Sequence, residues 1–357
     1  MYCLRRTEPM AQRGVALIIA LLVAALAAAL LVALQRDFDL SYRRAANEFI
    51  GEQSWAYLVG AEALAIRALQ LDYDGDLARG VARDDLEEIW AQEPVPYALD
   101  EGGWMLGSLE DLQGRFNLNL LAAAPGTGEG AAAYVPAQQF FIRLLQALEG
   151  LEINEFKAMA ITDAIGDWID ADDIVRRNGA ESSSYLSRTP AYAAANQAMA
   201  SVSELRAIEG ISIEIYEALR PFVTVWPREA SSINIHTAPA TVLRAVNSDG
   251  NLQPLTIDQG ESLVQLREDS GFIDMDDFFQ QGPFAGNQLD AVASLLTESS
   301  SYFLLTSRVE IADREQRLYS VLRRSERQVD VLARTGASLY DFPGNTIPTT
   351  STTESQP

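Results

Sequence analysis

Residues 15–34 read VALIIALLVAALAAALLVAL, twenty positions without a charge, a proline or a glycine. As a helix this stretch is about 30 Å long, enough for the hydrocarbon core of a bilayer. Arg5, Arg6 and Arg13 stand ahead of it with only Glu8 opposing them, so the short amino-terminal side is expected to stay in the cytoplasm and the bulk of the chain to be exported. An ordinary secretory signal carries its small residues after the apolar run. Here the small residue, Gly14, stands before it.

Outward from this anchor the helical spacing continues through Phe38, Tyr42, Phe49, Ala56, Val59, Ala63 and Ile66. It predicts one helix from about Val15 to about Leu71, closed by the turn signal Tyr73-Asp74-Gly75-Asp76. The residues WMLGSLEDLQGRFNLNLL (104–121) read as short strands. A small-residue linker, AAAPGTGEGAAA (122–133), then opens a helical region. Near the end, Leu305, Ser307, Val309 and Ile311 alternate with Thr306, Arg308 and Glu310, and RLYSVL and VDVLA follow as further strands. The expected organisation is a β region split between 72–121 and 298–342, interrupted by a mainly helical insertion over 122–297 and followed by a disordered tail at 343–357.

Composition limits the chemistry. The 357 residues hold 27 Lys and Arg against 50 Asp and Glu, a formal charge of -23 that repels a phosphate backbone and argues against nucleic acid as a partner. A single His and a single Cys exclude His-rich zinc sites, iron–sulfur cages and an internal disulfide. His236 has no nucleophile elbow or phosphate loop around it, and the abundant carboxylates form no specific dyad, so no enzyme is expected.

The densest local feature is DAIGDWIDADDIVRRNGAE (163–181). Asp167, Asp170, Asp172 and Asp173 crowd four carboxylates into seven positions, which is unfavourable unless something positive sits among them. Oxygen ligands without His or Cys favour calcium over zinc. An EF-hand alignment puts Asp170 and Asp172 at the first and third positions, Asn178 at the ninth and Glu181 at the twelfth. It fails at Ile174 and Val175, where that loop needs a ligand and a glycine. The spacing leaves two readings, a calcium loop and a solvated acidic loop that caps a helix. VSELRAIEGISIEIYEALRPF and NIHTAPATVLRAV are like helix-hairpin-helix segments, whose turn amides often meet DNA phosphate. That supports, as the alternative function, a membrane-anchored periplasmic protein of DNA uptake; the acidic surroundings favour a packing role.

The basic leader ending in Gly14, followed at once by the apolar helix, resembles the signal of prepilins and pseudopilins. That resemblance implies cleavage by prepilin peptidase between Gly14 and Val15, with methylation of the mature protein as a further expectation. Loss of the leader removes Cys3 and a net +2, taking the charge from -23 to -25. Met10 is a second possible start. Most pilins carry Glu at the fifth mature position; here it is Ile19. A carboxylate in an apolar bundle needs a partner, so its absence marks a subunit with no neighbour above it, a tip subunit. RGVALIIALL, GRFNLN, DWIDADDIVRRNGAESSSYLS, SVSELRAIEGI and INIHTAPATVLRAV together resemble the GspK family, the large minor pseudopilins of bacterial type II secretion systems. His236 departs from that family's usual Asn-x-Asn-Thr pattern. The resemblance implies an α+β pseudopilin fold, a long amino-terminal helix on an antiparallel sheet with a large inserted α-helical domain. It also implies a single-pass inner-membrane subunit with a periplasmic body, partners GspI and GspJ, and a structural calcium ion. Asp167, Asp170, Asp172, Asp173 and Glu181 are its candidate ligands.

Overall fold

The computed structural model describes residues 13–336 except positions 101, 127 and 230; the first twelve residues of the expected leader and the expected disordered tail at 343–357 lie outside the described residues. Chain order is α1 (Arg13–Arg79), β1 (Tyr97–Ala98), β2 (Trp104–Asp111), β3 (Phe116–Asn117), α2 (Pro136–Gln146), α3 (Glu155–Ile169), α4 (Ser182–Tyr185), α5 (Ile213–Leu219), β4 (Val223–Thr224), β5 (Ile233–Asn234), α6 (Ala240–Leu243), α7 (Ile257–Ser270), α8 (Met275–Gln280), α9 (Asp290–Ala293), β6 (Leu296–Thr297), β7 (Tyr302–Ile311), β8 (Arg314–Ser325) and β9 (Gln328–Thr335).

Helix α1 runs unbroken for 67 residues, about 100 Å at 1.5 Å per residue. It passes through Tyr73-Asp74-Gly75-Asp76, which the sequence suggested as its end, and continues to Arg79. The true stop is Gly80, at φ 70°. Its N–H donates to the Leu77 carbonyl at 3.4 Å and the Val81 N–H donates to the Asp76 carbonyl at 3.1 Å, the two bonds of a Schellman cap. Charged turn residues do not end the helix because their carboxylates are engaged elsewhere: Asp72 and Asp74 pair with Arg324 and Arg327 of the β8 end and the turn after it.

The face of α1 that meets the sheet is Ser54, Leu58, Ala61, Glu62, Ala65, Leu69, Asp72 and Asp76, all buried. It differs from the stripe read in the sequence. Phe38, Tyr42, Phe49, Ala56 and Ala63 are exposed, and Val59 and Ile66 are half-buried. Small side chains win the contact because they let the strands approach; a Cβ on Gly107 of β2 would lie 3.9 Å from that of Ala61. The fully buried Leu58 and Leu69 each contribute about 2 kcal/mol. Residues 15–45 bury nothing against the body.

The sheet is antiparallel, in the order β1-β2-β7-β8-β9, with Gly107 opposite Ser307 and Leu305 opposite Ser320. Alternation sends Phe303 and Leu305 toward Ala65 and Leu69 of α1, while Leu304, Tyr319 and Val321 join the larger core of the inserted region. The expected α+β fold is therefore present. Its sheet ends earlier than residue 121: β3 leaves it and pairs in parallel with β4, Phe116 opposite Val223. Two amides hold that departure. Asn117 Nδ2 donates to the Pro227 carbonyl at 2.6 Å, and Asn119 Nδ2 donates to the Val225 carbonyl at 3.0 Å. Phe116 then stacks on Phe140 and Phe141 of α2, with ring centroids 5.5 and 5.2 Å away.

Candidate metal centre

Helix α3 presents the acidic block. Asn154 caps its start by accepting the Lys157 N–H at 2.9 Å, and Asp170 closes its end in an extended conformation. Asp163 and Asp167, four residues apart, lie on the same buried face. Asp163 Oδ2 accepts the backbone and side-chain N–H groups of Asn178, both at 3.1 Å. Asn178, the ninth position of the EF-hand alignment, thus serves the helix, and the loop folds back by a different route.

The positive group that the crowding demanded is Arg176. Its backbone N–H donates to both oxygens of Asp167 at 3.2 Å, and its Nε lies 3.3 Å from Asp167 Oδ1. Its Nη2 and Nε donate to Asp170 Oδ2 at 2.8 and 3.2 Å. Its Nη1 donates to the Leu121 carbonyl at 2.9 Å, which ties the loop to the segment following β3. Two glycines make room: a Cβ on Gly166 would overlap the Arg176 guanidinium, and one on Gly179 would overlap the Asp167 carboxylate.

Of the five expected ligands the fold brings three together. Carboxylate oxygens of Asp170, Asp172 and Glu181 lie within 4.8 Å of one another. Asp167 is fully buried and committed to Arg176, and the exposed Asp173 accepts from Asn196 Nδ2 at 3.2 Å; neither belongs to that trio. Two oxygens within it are conspicuous. Asp170 Oδ1 and Glu181 Oε1 are buried and accept no hydrogen bond, and Glu181 is only 2% exposed. Glu181 Oε2 caps α4 through the Ser182 N–H at 3.2 Å, which fixes the direction of the bare oxygen. Burial raises the Glu181 pKa, and the nearby charges of Asp170, Asp173 and Asp172 add to the rise. Burial likewise lifts Asp167 to about 7, against the opposing effect of the Arg176 amide and charge. Hard oxygens, two of them bare and buried, fit a calcium ion. The sequence alone gives Arg176 no role; the available signal is the Arg176–Arg177 pair among close carboxylates.

The other sequence features resolve as packing or as an exposed apolar helix. Residues 15–34 form the exposed, apolar part of α1, long enough to cross a membrane, with a mean hydropathy of 3.2 in its most apolar window. Gly14 and Val15 lie in its first turns, and Ile19 is exposed on it. In the first hairpin-like segment a 3-10 turn at Val202–Ala207 replaces one of the two helices, and Gly210 turns the chain at φ 80°. In the second, Arg244 is consumed internally by the carbonyls of Leu255 and Ala147, at 3.0 and 2.9 Å. Asn234 organises the region around His236. Its Nδ2 donates to the Asp84 carbonyl and Ser300 Oγ, both at 2.9 Å, and its Oδ1 accepts the His236 N–H at 2.9 Å.

Comparison with known proteins agrees along the chain. Models of the type II secretion system (T2SS), protein K, match residues 114–228 and 233–298. The type II secretion system protein K of Pseudomonas aeruginosa is 35% identical over 90% of this chain and 92% of its own. The corresponding protein of Aeromonas hydrophila is 31% identical over 90% and 96%. A chain in the crystal structure of the GspK-GspI-GspJ complex from the enterotoxigenic Escherichia coli type 2 secretion system superposes with a TM-score of 0.69 at 28% identity, covering 83% of this chain and 99% of that one.

Proposed function

We propose, on the premise that this chain belongs to the type II secretion system protein K family, that it occupies the tip of the periplasmic pseudopilus. There it starts or caps assembly for protein export across the outer membrane. As a minor pseudopilin it works mechanically, through shape and contact. The observation that carries the tip placement is the long insertion between β2 and β7, which builds the larger core of the chain against one face of the sheet. Such a body is too wide to be stacked repeatedly within a thin filament, and the end of the filament is the place that accommodates it. Ile19 supports the same position, since a tip subunit has no neighbour above to pair with a buried Glu.

On this reading α1 crosses the inner membrane once, with its start in the cytoplasm, and prepilin peptidase releases the leader between Gly14 and Val15. The partners are this system's GspI and GspJ, by likeness to the crystallised complex. Because residues 15–34 pack against nothing in the body, the chain from Gln35 onward keeps its whole core and suits solution experiments. Mixed with those two pseudopilins at micromolar concentration, it should co-elute as one complex; separate elution overturns the reading. Gly14→Ala should leave the precursor unprocessed. A low-salt gel shift with DNA should show no complex, and a shifted band would favour the DNA-uptake alternative.

Calcium belongs to the same proposal. Asp170, Asp172 and Glu181 would hold it, with backbone oxygens or water completing the shell. The ion would supply a cross-link between the end of α3 and the start of α4, in a mature chain that has no thiol for a disulfide.

A further inference from the structure

A second group of carboxylates lies where α1 ends, remote in sequence from the loop just described. Asp72 and Asp76, one turn apart on the buried face of α1, meet Asp84 and Glu88 of the following segment; their exposures are 6, 7, 0 and 8%. Two arginines oppose these four acids. Arg324 of β8 donates through Nη1 to Asp72 Oδ2 at 2.7 Å and through Nη2 to Asp84 Oδ1. Arg79, itself largely exposed, lies 2.5 Å from Asp76 Oδ1 and only reaches within 3.6 Å of Glu88 Oε1. Two formal negative charges are left over in a site that excludes most water.

The geometry shows where a counter-ion fits. Carboxylate oxygens of Asp72, Asp84 and Glu88 lie within 4.8 Å of one another. Glu88 Oε2 is pinned by the Trp90 indole N–H at 2.8 Å and the Asp85 N–H at 3.3 Å, while Glu88 Oε1 is buried and accepts no hydrogen bond. An open cavity of about 450 Å³, walled in part by Asp76, Asp84, Ser300 and Arg324, gives access from solvent.

We propose that Asp72, Asp84 and Glu88 form a second divalent-cation site, of the oxygen-ligated calcium class, in which the ion pins the end of α1 to the segment that leads into the sheet. The leftover charge of -2 is what one such ion neutralises. Few ligands and a resident arginine set a modest affinity, about 10⁻⁴–10⁻³ M, the range of extracellular calcium modules. The site is independent of the acidic loop and stands whether or not that loop takes calcium.

The test uses the detergent-purified full chain carrying Asp172→Asn, which silences the loop, and terbium as the probe, because Trp90 sits beside Glu88 and sensitises a lanthanide bound there. Asp172→Asn should retain saturable terbium emission that calcium displaces. Adding Glu88→Gln should abolish it with the circular dichroism unchanged, and Glu88→Asp, which keeps the charge but shortens the reach, should weaken calcium at least tenfold by calorimetry. Trp90→Phe should dim the emission while calorimetric calcium binding persists. The proposal is overturned if Asp172→Asn alone removes all calcium binding, or if Glu88→Gln leaves binding unchanged. A Glu88→Gln variant that melts higher, on a background whose melting ignores calcium, also overturns it, since the cluster is then held by shared protons.

Discussion

The acidic loop at 167–181 and the cluster at the end of α1 solve the same problem by different means. Both gather carboxylates away from water, and both set a buried arginine among them. In the loop the arginine is local: Arg176 lies six residues beyond Asp170 and pairs with it at 2.8 Å, and Gly166 and Gly179 leave space for the pairing. At the helix end the arginine is distant: Arg324 arrives on β8, 252 residues after Asp72. The loop is therefore a cross-link within the insertion, whereas Arg324 clamps α1 to the sheet. A clamp between large elements should matter more to global stability, and a local cross-link should matter more to the insertion.

Four measurements break or sharpen that contrast. Replacing Arg324 by Met leaves Asp72 and Asp84 buried without their guanidinium, and the expected loss is about 3–5 kcal/mol in denaturant unfolding. A smaller loss than that of the local arginine would reverse the comparison. Arg176→Met should cost about 2–4 kcal/mol without calcium. It also frees Asp170 Oδ2, so calcium should raise the melting temperature of this variant more than that of the unsubstituted chain. An equal calcium response in both would show that Arg176 and the ion do not share Asp170. Third, calcium at a hundred times its dissociation constant stabilises by about 2.7 kcal/mol. Chelation should lower the melting temperature accordingly, and Asp172→Asn should remove that part of the response.

The smallest effect separates burial from like-charge crowding. His236, 1% exposed, is a buried base whose pKa falls to about 4, through burial first and the charge of Arg83 second. The unfolded chain binds its proton near pH 6.5, so this contribution is complete above that pH and is lost as pH falls from about 6.5 toward 4, by about 2 kcal/mol once pH 5 is reached. The slope is opposite to that of the buried acids, whose raised values destabilise as pH rises. With one histidine in the chain, a single proton resonance reports its titration, and His236→Asn should flatten the acid limb. A normal titration near 6.5 would refute the assignment.

Much of the fold was legible because it is local. The apolar run needed no tertiary information, and neither did the alternation from Leu305 to Ile311 that became β7. The candidate site was half legible. The composition of 163–181 indicated hard-oxygen chemistry, and the EF-hand spacing singled out Asp170, Asp172 and Glu181, but its failure at Ile174 and Val175 left no ground for setting Asp167 and Asp173 aside. That division depends on which carboxylates Arg176 and Asn196 occupy, and hence on the path of the chain between α3 and α4. The helix end was misplaced because Asp72 and Asp74 look like turn residues until their arginines arrive.

By itself the sequence determined the long apolar helix, the acidic excess and the order of β, helical and β segments, since each follows from the properties of neighbouring residues. Tertiary structure alone decided where α1 stops, which of its faces is buried, and that Asp72, Asp84 and Glu88 meet Arg324. Those outcomes rest on the packing of α1 against β8, which juxtaposes residues more than two hundred positions apart, and no local periodicity encodes such a distance.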